Sequence, residues 1–398
     1  MKYWFTTLML ITVATLSYGQ EAKRMAVVET STCYMRIAPD YESALETQEL
    51  MGTVVEIVGE SGYWREIVSP QPYKAWTTEK TLVEMSEKQI KEYVAAPKYM
   101  FTELYGHVYM EPSEKAQTIC DLVGGDVLRV ALNGTNSSRQ TAATTTGEKE
   151  QMEVAAQKET KEEEKMIGKM AVTKGKWVQV MLPSGAKGWV LKSQVRMLGE
   201  RVDIRIGDQK NGLTEDKQEI QTGGQQEGVI GAKKMEDIIA SAHQLLGVPY
   251  LWGGMSSKGV DCSGLVRISA IMNDVLLPRN ASQQIFCGAP VEMQCDPAFW
   301  DEDSRIIKDK NDRAEKGEFK MDFIEEMNER VKNLRRGDLV FFGTPATAEK
   351  PRRVTHVGIY LGGNRIIHSS HKVRINSLIP GDADYYENAH RLMAACRY

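Results

Sequence analysis

The chain has 398 residues, 42% of them hydrophobic, with 50 Lys and Arg against 54 Asp and Glu and a formal net charge of −4. Such a length holds two or three domains with cores of their own, and the balanced charge gives no nucleic-acid signature. Six cysteines in so long a chain, one of them in a setting that suits a working thiol, exclude a fully paired disulfide framework.

The chain opens on Met1-Lys-Tyr-Trp, runs apolar from Phe5 to Leu16, and reaches small residues at Ser17 and Gly19. A positive end, a short apolar core and a small-residue exit read as a secretory signal peptide over 1–19, too short to span a membrane. Cys33, the first cysteine, stands too far on for a lipoprotein anchor. The expectation is a periplasmic or secreted monomer with no stable membrane anchor and no nucleic-acid partner.

From 25 to 88, short β-type runs at Met25–Val28, Val54–Val58, Tyr63–Val68 and Lys74–Thr77 alternate with Gly, Pro and Asp, which suits a small barrel. A second copy covers 96–200. Its Lys176-Trp177-Val-Gln-Val-Met and Lys187-Gly-Trp189 parallel Tyr63-Trp64-Arg-Glu-Ile-Val and Tyr73-Lys-Ala-Trp76. A Trp strand, a turn, a second Trp strand and a closing turn resemble bacterial SH3-like domains, here present twice. The second copy is interrupted over 133–165, where Thr, Lys and Glu crowd out aromatics and the segment buries too little apolar surface to order itself. A Gly/Gln-rich linker over 201–232 follows.

A helix is expected from Lys233 to Leu246, with apolar residues at i, i+3 and i+4 and Gly247 at its C-cap. The stretch Tyr250-Leu-Trp-Gly-Gly-Met-Ser-Ser-Lys-Gly-Val-Asp261-Cys262-Ser263-Gly-Leu-Val266 then sets one cysteine ahead of an apolar helical run through Leu265, Ile268 and Met272. In a first helical turn, free backbone N–H groups and the dipole favour an anion, which lowers a thiol pKa and supplies a thiolate. A charged insertion over 286–335 contains Cys287 and Cys295, which either bridge locally or stay ordinary thiols. Strands are expected at Asp338–Phe342, Thr355–Leu361, Arg365–His368 and Arg391–Arg397.

A thiol nucleophile needs a base and a group that orients the base. His356 begins an alternating strand, and Gly362-Gly-Asn364 turns the chain back to Arg365-Ile-Ile-His368. Whether the turn centres on Gly362 or Gly363, His356 and His368 share a face, because strand side chains repeat every two residues. His356 is the candidate base and His368 its orienter, with His371 as a rival. His107, His243 and His390 read as ordinary structural histidines.

These residues carry a resemblance. Asp261-Cys-Ser-Gly-Leu265, Leu277-Pro-Arg279, Gly337-Asp-Leu-Val-Phe-Phe342 and His356-Val-Gly-Ile-Tyr-Leu-Gly362 with Ile367-His368-Ser369 are similar to the NlpC-type cell-wall cysteine peptidases. The resemblance covers 233–398 and implies a papain-like α+β catalytic domain, here preceded by the two all-β SH3-like barrels. It also implies hydrolysis of γ-D-glutamyl-diamino acid bonds in peptidoglycan stem peptides, in some members on L-Ala-γ-D-Glu-diamino acid peptides with a free N-terminal L-Ala. By the resemblance Cys262 is the nucleophile, His356 the base, His368 the third polar residue, and Tyr250 a donor at the oxyanion. Asp261 and Ser263 hold substrate; Asp261 binds the terminal amine, caps its helix, or does both. Trp252 lines the cleft or belongs to the core, and Ser282 is a further candidate. Tyr73 matches a tyrosine with which the first barrel closes the cleft. The acidic residue that accompanies it falls at Ala44, with Glu42 and Glu46 beside it. No cofactor or metal is implied. The alternatives are an endopeptidase on intact peptidoglycan, a catalytically silent wall-binding module, and an acyltransferase or amidase on the same frame.

Overall fold

The computed structural model describes residues 23–70, 73–133, 166–199, 201–203, 230–293, 321–346 and 349–398. The signal-peptide reading, nearly all of the 133–165 loop, most of the linker, Cys295 and the middle of the 286–335 insertion lie outside them. Among the described residues no helix is long and apolar enough to cross a membrane.

The first domain is one antiparallel sheet of β1 (Arg24–Val28), β2 (Thr32–Arg36), β3 (Leu45–Leu50), β4 (Val54–Ser61), β5 (Trp64–Val68), β6 (Lys74–Thr78) and β7 (Leu82–Met85), in the order β3-β2-β6-β5-β4-β1-β7. A helix, α1 (Glu87–Ala95), follows; Ser86 caps it through a capping box with Gln89. The second domain contains β8 (Lys98–Phe101), β9 (Tyr105–Tyr109), β10 (Thr118–Val123), β11 (Val127–Val130), β12 (Thr173–Lys174), β13 (Trp177–Met181), β14 (Lys187–Leu191) and β15 (Val195–Met197). Their order is β10-β9-β14-β13-β11-β8-β15, with β12 beside β13. Strand for strand this repeats the first sheet. The registers repeat as well: Trp64 faces Thr78 and Trp76 faces Glu66, while Trp177 faces Leu191 and Trp189 faces Gln179. The duplicated Trp strands in the sequence thus mark two equivalent all-β domains.

After β16 (Val202–Asp203) the catalytic-type domain starts with α2 (Ala232–Gln244), whose exit uses Gly247 at φ +85°. A small pair, β17 (Met255–Ser256) and β18 (Gly259–Val260), leads into α3 (Cys262–Ile271), β19 (Val275–Leu276) and α4 (Ala281–Gln284). Then come β20 (Ala289–Val291), α5 (Met321–Val331), β21 (Leu339–Thr344), β22 (Arg353–Gly362), β23 (Arg365–Ser370), β24 (Lys372–Ser377) and β25 (Leu392–Arg397). The six-stranded sheet runs β20-β25-β21-β22-β23-β24. Every residue of α3 is buried. It packs Leu265 and Ile268 into a core with Phe341, Val357, Ile359 and Ile367, while a second core gathers Met327 and Val331 of α5 with Phe342, Tyr360 and Tyr386. The polar residues of α3 are buried with partners: Arg267 donates to the Leu277 carbonyl and Ser269 to the Leu265 carbonyl.

Candidate functional site

Cys262 is the first residue of α3, and the Asp261 carboxylate accepts from the Gly264 amide at 2.7 Å, capping the helix. Gly264 is required by contact: a Cβ there would stand 2.1 Å from the Gly254 carbonyl oxygen. The helix N-terminus does not set the thiol's state. Burial, followed by the neighbouring Asp261 charge, pushes the Cys262 pKa up to about 12, against a downward pull from the Val357 and Ser263 amides. The expected low thiol pKa is corrected accordingly, because desolvation of a thiolate outweighs a terminal dipole at a buried position. Cys262 rests as a neutral thiol and depends on a base.

The strand that brings Val357 to Cys262 carries His356 one residue earlier. Between the pairs Phe342–His356 and Gly343–Val354 the register slips, so Thr355 is a bulged residue. A bulge of this kind re-aims side chains next to a site. The hairpin turns on Gly363 and Asn364, both at positive φ, and pairs Ile359 with Ile367, which sets His356 diagonal to His368. The imidazoles meet: His356 Nε2 lies 2.8 Å from His368 Nδ1. Gly358, opposite His368, leaves the room; a Cβ there would fall 3.2 Å from the His368 Cβ. His368 Nε2 is 2.9 Å from Asn376 Oδ1, and Asn376 Nδ2 donates to the Asp384 carbonyl at 2.7 Å.

This chain fixes both tautomers. A carbonyl only accepts, so the Asn376 amide nitrogen faces Asp384 and its oxygen accepts from His368 Nε2–H. His368 Nδ1 is then the acceptor for His356 Nε2–H, and His356 Nδ1 is left as a free base. Both rings are neutral: burial lowers His356 to about 3, helped by His368, and lowers His368 to about 4 against the upward pull of Asn376. Tyr386 contacts both rings, tilted against His356 at 5.6 Å and edge-on to His368 at 4.5 Å between centroids, and the Cys262 charge is among the influences that raise its own pKa. Tyr386 is therefore the shared neighbour of thiol and imidazoles.

Cys262 opens into a cleft of about 180 Å³ whose walls include Tyr250, Trp252, Asp261, Ser263 and Ser282, with Tyr73 and Glu46 supplied by the first domain. Tyr250 is half-buried, its pKa raised by burial and then by Cys262 and Asp261. Trp252 is 69% exposed, which removes the core alternative. The Tyr73 hydroxyl contacts the Asn280 side chain at 2.9–3.1 Å, and Glu46 is a further hydrogen-bond and charge neighbour of it. Of the three positions proposed for an acid at this end, Glu46 is the one in the cleft wall; Glu42 and Ala44 are exposed. His371 serves through its backbone, accepting the Tyr250 amide at 2.8 Å, so the orienting imidazole is that of His368. The His243 ring bonds the Ile239 carbonyl at 2.8 Å, His107 meets Tyr105 and Tyr109 edge-on, and His390 is buried and does not line the cleft.

Two groups that organise the site have no role in the sequence reading, although Arg279 stands in one of its motifs. Arg279 is buried and joins Asp261 (2.5 Å), Ser263 (3.0 Å) and Thr47 of β3 (2.8 Å). Asn376 lies on β24, a strand that the alternation of Val373 and Ile375 announces. Among the described residues no cluster of three or more His, Cys, Asp or Glu could hold a metal.

A helix-borne cysteine laid against a sheet that presents a hydrogen-bonded His–His–Asn chain defines a papain-like α+β domain. Residues 247–390 match the NlpC/P60 family model, and this part of the chain is an NlpC/P60 domain, of a family of cell-wall peptidases. The whole chain is similar to a γ-D-glutamyl-L-lysine dipeptidyl-peptidase of Bacillus cereus, 22% identical over 88% of this chain and 75% of that one. The enzyme of the same name from Bacillus subtilis is 30% identical over 34% of this chain, which spans 31% of that relative. A crystal structure of an NlpC/P60 family protein from Bacillus cereus superimposes with a TM-score of 0.57 at 18% identity, over 94% of this chain and 99% of that one. It supports the fold of all three domains together.

Proposed function

We propose that the protein is a cysteine peptidase that hydrolyses the γ-D-glutamyl-diamino acid bond of peptidoglycan stem peptides carrying a free N-terminal L-Ala. The observation that supports this reading most is the fixed Asn376–His368–His356 chain beside Cys262, in a cleft ended by Glu46 and Tyr73. His356 Nδ1 takes the Cys262 proton as the sulfur attacks the γ-carbonyl carbon. Tyr250 Oη and backbone N–H groups hold the oxyanion that forms. The C–N bond then breaks, and the imidazolium gives its proton to the leaving amine of the diamino acid. A water attacks the thioester with His356 again as base, releasing the L-Ala-γ-D-Glu product and the thiol. Neutral thiol and neutral imidazole at rest mean that proton transfer accompanies attack.

Asp261 is engaged by Arg279, Gly253 and Gly264, so Glu46 is the acid assigned to the substrate amine. Ser263, bonded to Asp261 and Arg279, positions this wall, while Trp252 and Ser282 shape the cleft. In the same reading the two all-β domains are SH3-like, the boundaries are 25–88, 96–200 and 233–398, and residues 1–19 direct secretion. The γ-D-glutamyl-L-lysine dipeptidyl-peptidase names of two relatives support the choice of bond.

The test is hydrolysis of L-Ala-γ-D-Glu-L-Lys and of its N-acetylated form by wild type and Cys262→Ala. Cleavage strongly favouring the free-amine peptide, with only a residual rate on the acetylated one, and absent in the variant is expected. Equal cleavage of both peptides would transfer the assignment to an endopeptidase on intact wall, and cleavage by Cys262→Ala would remove the thiol mechanism.

A further inference from the structure

The three domains meet around a second cavity, of about 260 Å³, that takes no part in this chemistry. It shares a wall with the cleft, since β3 sends Glu46 to the cleft and Glu49 and Leu50 to this cavity. Lys98, Arg201 and Arg267 line it against one lining carboxylate, Glu49, which lies 3.7 Å from Arg267. Lys98 Nζ donates to the carbonyls of Val94 and Ala96 at 2.8 Å and has no carboxylate partner among the described residues. Lys98 is half-buried and Arg267 buried, while Arg201 is exposed to solvent and has Asp274 as a charge neighbour. Burial lowers Lys98 to about 8, with Arg129 and Arg201 adding to it, and lowers Arg267. Three cations against one carboxylate leave this wall with a net positive charge.

Tyr93 supplies the independent observation. It is 1% exposed, the Lys98 ammonium and the Arg129 guanidinium lie 5.1 and 5.3 Å from its ring centroid, and its hydroxyl is buried with no hydrogen-bond partner among the described residues. Buried hydroxyls are ordinarily satisfied, and one that is not calls for an explanation. Gly52 keeps the space before it open: at φ +88°, a Cβ there would stand 3.1 Å from the Tyr93 oxygen and 2.6 Å from the Val127 carbonyl. The rest of the wall is largely apolar, Val127 and Ile271 included, and the volume is several times the ~30 Å³ share of one water.

We propose that this junction cavity binds a compact ligand through one anionic group, a carboxylate or a phosphate, with Lys98 and Arg201 as counter-charges and Tyr93 Oη as hydrogen-bond donor. Such a ligand touches all three domains and stabilises their docking, because whatever binds only the folded assembly raises its stability.

The test follows thermal unfolding of the full chain while sodium phosphate, and separately sodium acetate, replaces sodium chloride at constant ionic strength. A saturable rise in Tm of a few degrees is expected with at least one anion, absent in Lys98→Met and needing several-fold more anion in Tyr93→Phe. Phosphate acting alone assigns a phosphate group, and acetate acting alone a carboxylate. Cys262→Ala should keep the full response, which separates this cavity from the cleft. No saturable rise over chloride with either anion, or an equal rise in Lys98→Met, overturns the proposal. If Lys98→Met does not fold, Tyr93→Phe decides, because it removes one oxygen and keeps the ring; an unshifted midpoint in that variant then overturns the site.

Discussion

Asn376 touches neither the thiol nor the cleft wall, yet it selects which nitrogen of His356 is free. Its Oδ1 holds the His368 proton on Nε2, so His368 Nδ1 can hold the His356 proton away from the nitrogen that serves as base. Asn376→Ala should leave the fold intact and release both tautomers. The expected result is a kcat for L-Ala-γ-D-Glu-L-Lys lower by roughly 10- to 100-fold, on the scale of a misplaced catalytic group, with KM little changed. Wild-type kcat would leave Asn376 as packing alone. Protonation gives a second expectation. His356, His368 and His390 are held at about 3, 4 and 4, below the ordinary value of 6.5, chiefly by burial. For a base with a depressed folded pKa the unfolded chain binds the extra proton, so stability is complete above about pH 6.5 and falls as pH drops towards 4. Urea midpoints between pH 7.5 and 4.5 should decline, and the decline should lessen in His390→Gln; a flat profile would mean that these rings are solvated. At this scale the sequence made the His356–His368 partnership legible, because strand parity is a local property. It misled about the thiol, because desolvation is decided by tertiary burial, which no local pattern records.

Elements were legible wherever burial follows a simple period. The Cys262 helix, the His356 hairpin and the duplicated Trp strands all stand where apolar spacing puts them. β3 was missed for a physical reason. Its Thr47, Gln48 and Glu49 are almost fully buried yet polar, because each meets a partner in another domain: Thr47 the Arg279 guanidinium, Gln48 the Met255 amide at 2.7 Å, Glu49 the Arg267 guanidinium. A polar strand buried at a junction looks, in one sequence, like an exposed loop. Glycines carry the other hidden requirement at this scale. The Gly264→Ala methyl would meet the Gly254 carbonyl oxygen at 2.1 Å, a backbone atom that cannot swing aside. Overpacking of this kind costs about 1–3 kcal/mol, and the shift needed to relieve it moves Cys262 two residues away. Both a lower Tm and a loss of kcat are expected, while Gly185→Ala, where no heavy atom lies within 4 Å but φ is +92°, should lower Tm and spare kcat. Unchanged kcat in Gly264→Ala would show that the turn before α3 adapts without disturbing the thiol.

At the scale of the whole molecule, the first domain completes the cleft and is locked there by buried polar contacts. Arg279 spans Asp261 in the catalytic-type domain and Thr47 in the first domain, and the Asp126 carboxylate of the second domain accepts from Met51 of the first at 3.1 Å. Because these contacts fix β3, they also fix Glu46 at the cleft wall beside Tyr73. The repeat was readable in the sequence, but this division of labour was not: the two sheets have the same order, and among the described residues only the first presents an acid and a tyrosine to the cleft. Arg279 offsets the Asp261 charge at contact distance, which leaves Glu46, with no ion pair among the described residues, as the acid at the end of the cleft where a free amine would sit. Glu46→Gln keeps the shape and removes the charge. The expected effect is a KM for the free-amine tripeptide raised about 10-fold, the equivalent of about 1.4 kcal/mol of binding, with kcat within about a factor of two. The residual rate on the N-acetylated peptide should stay as it was, because that peptide presents no cation. Steady-state kinetics on both peptides decide between the roles. An equal loss on both would make Glu46 a brace for Tyr73, and a gain on the acetylated peptide would show that the carboxylate had been excluding neutral amides from the cleft.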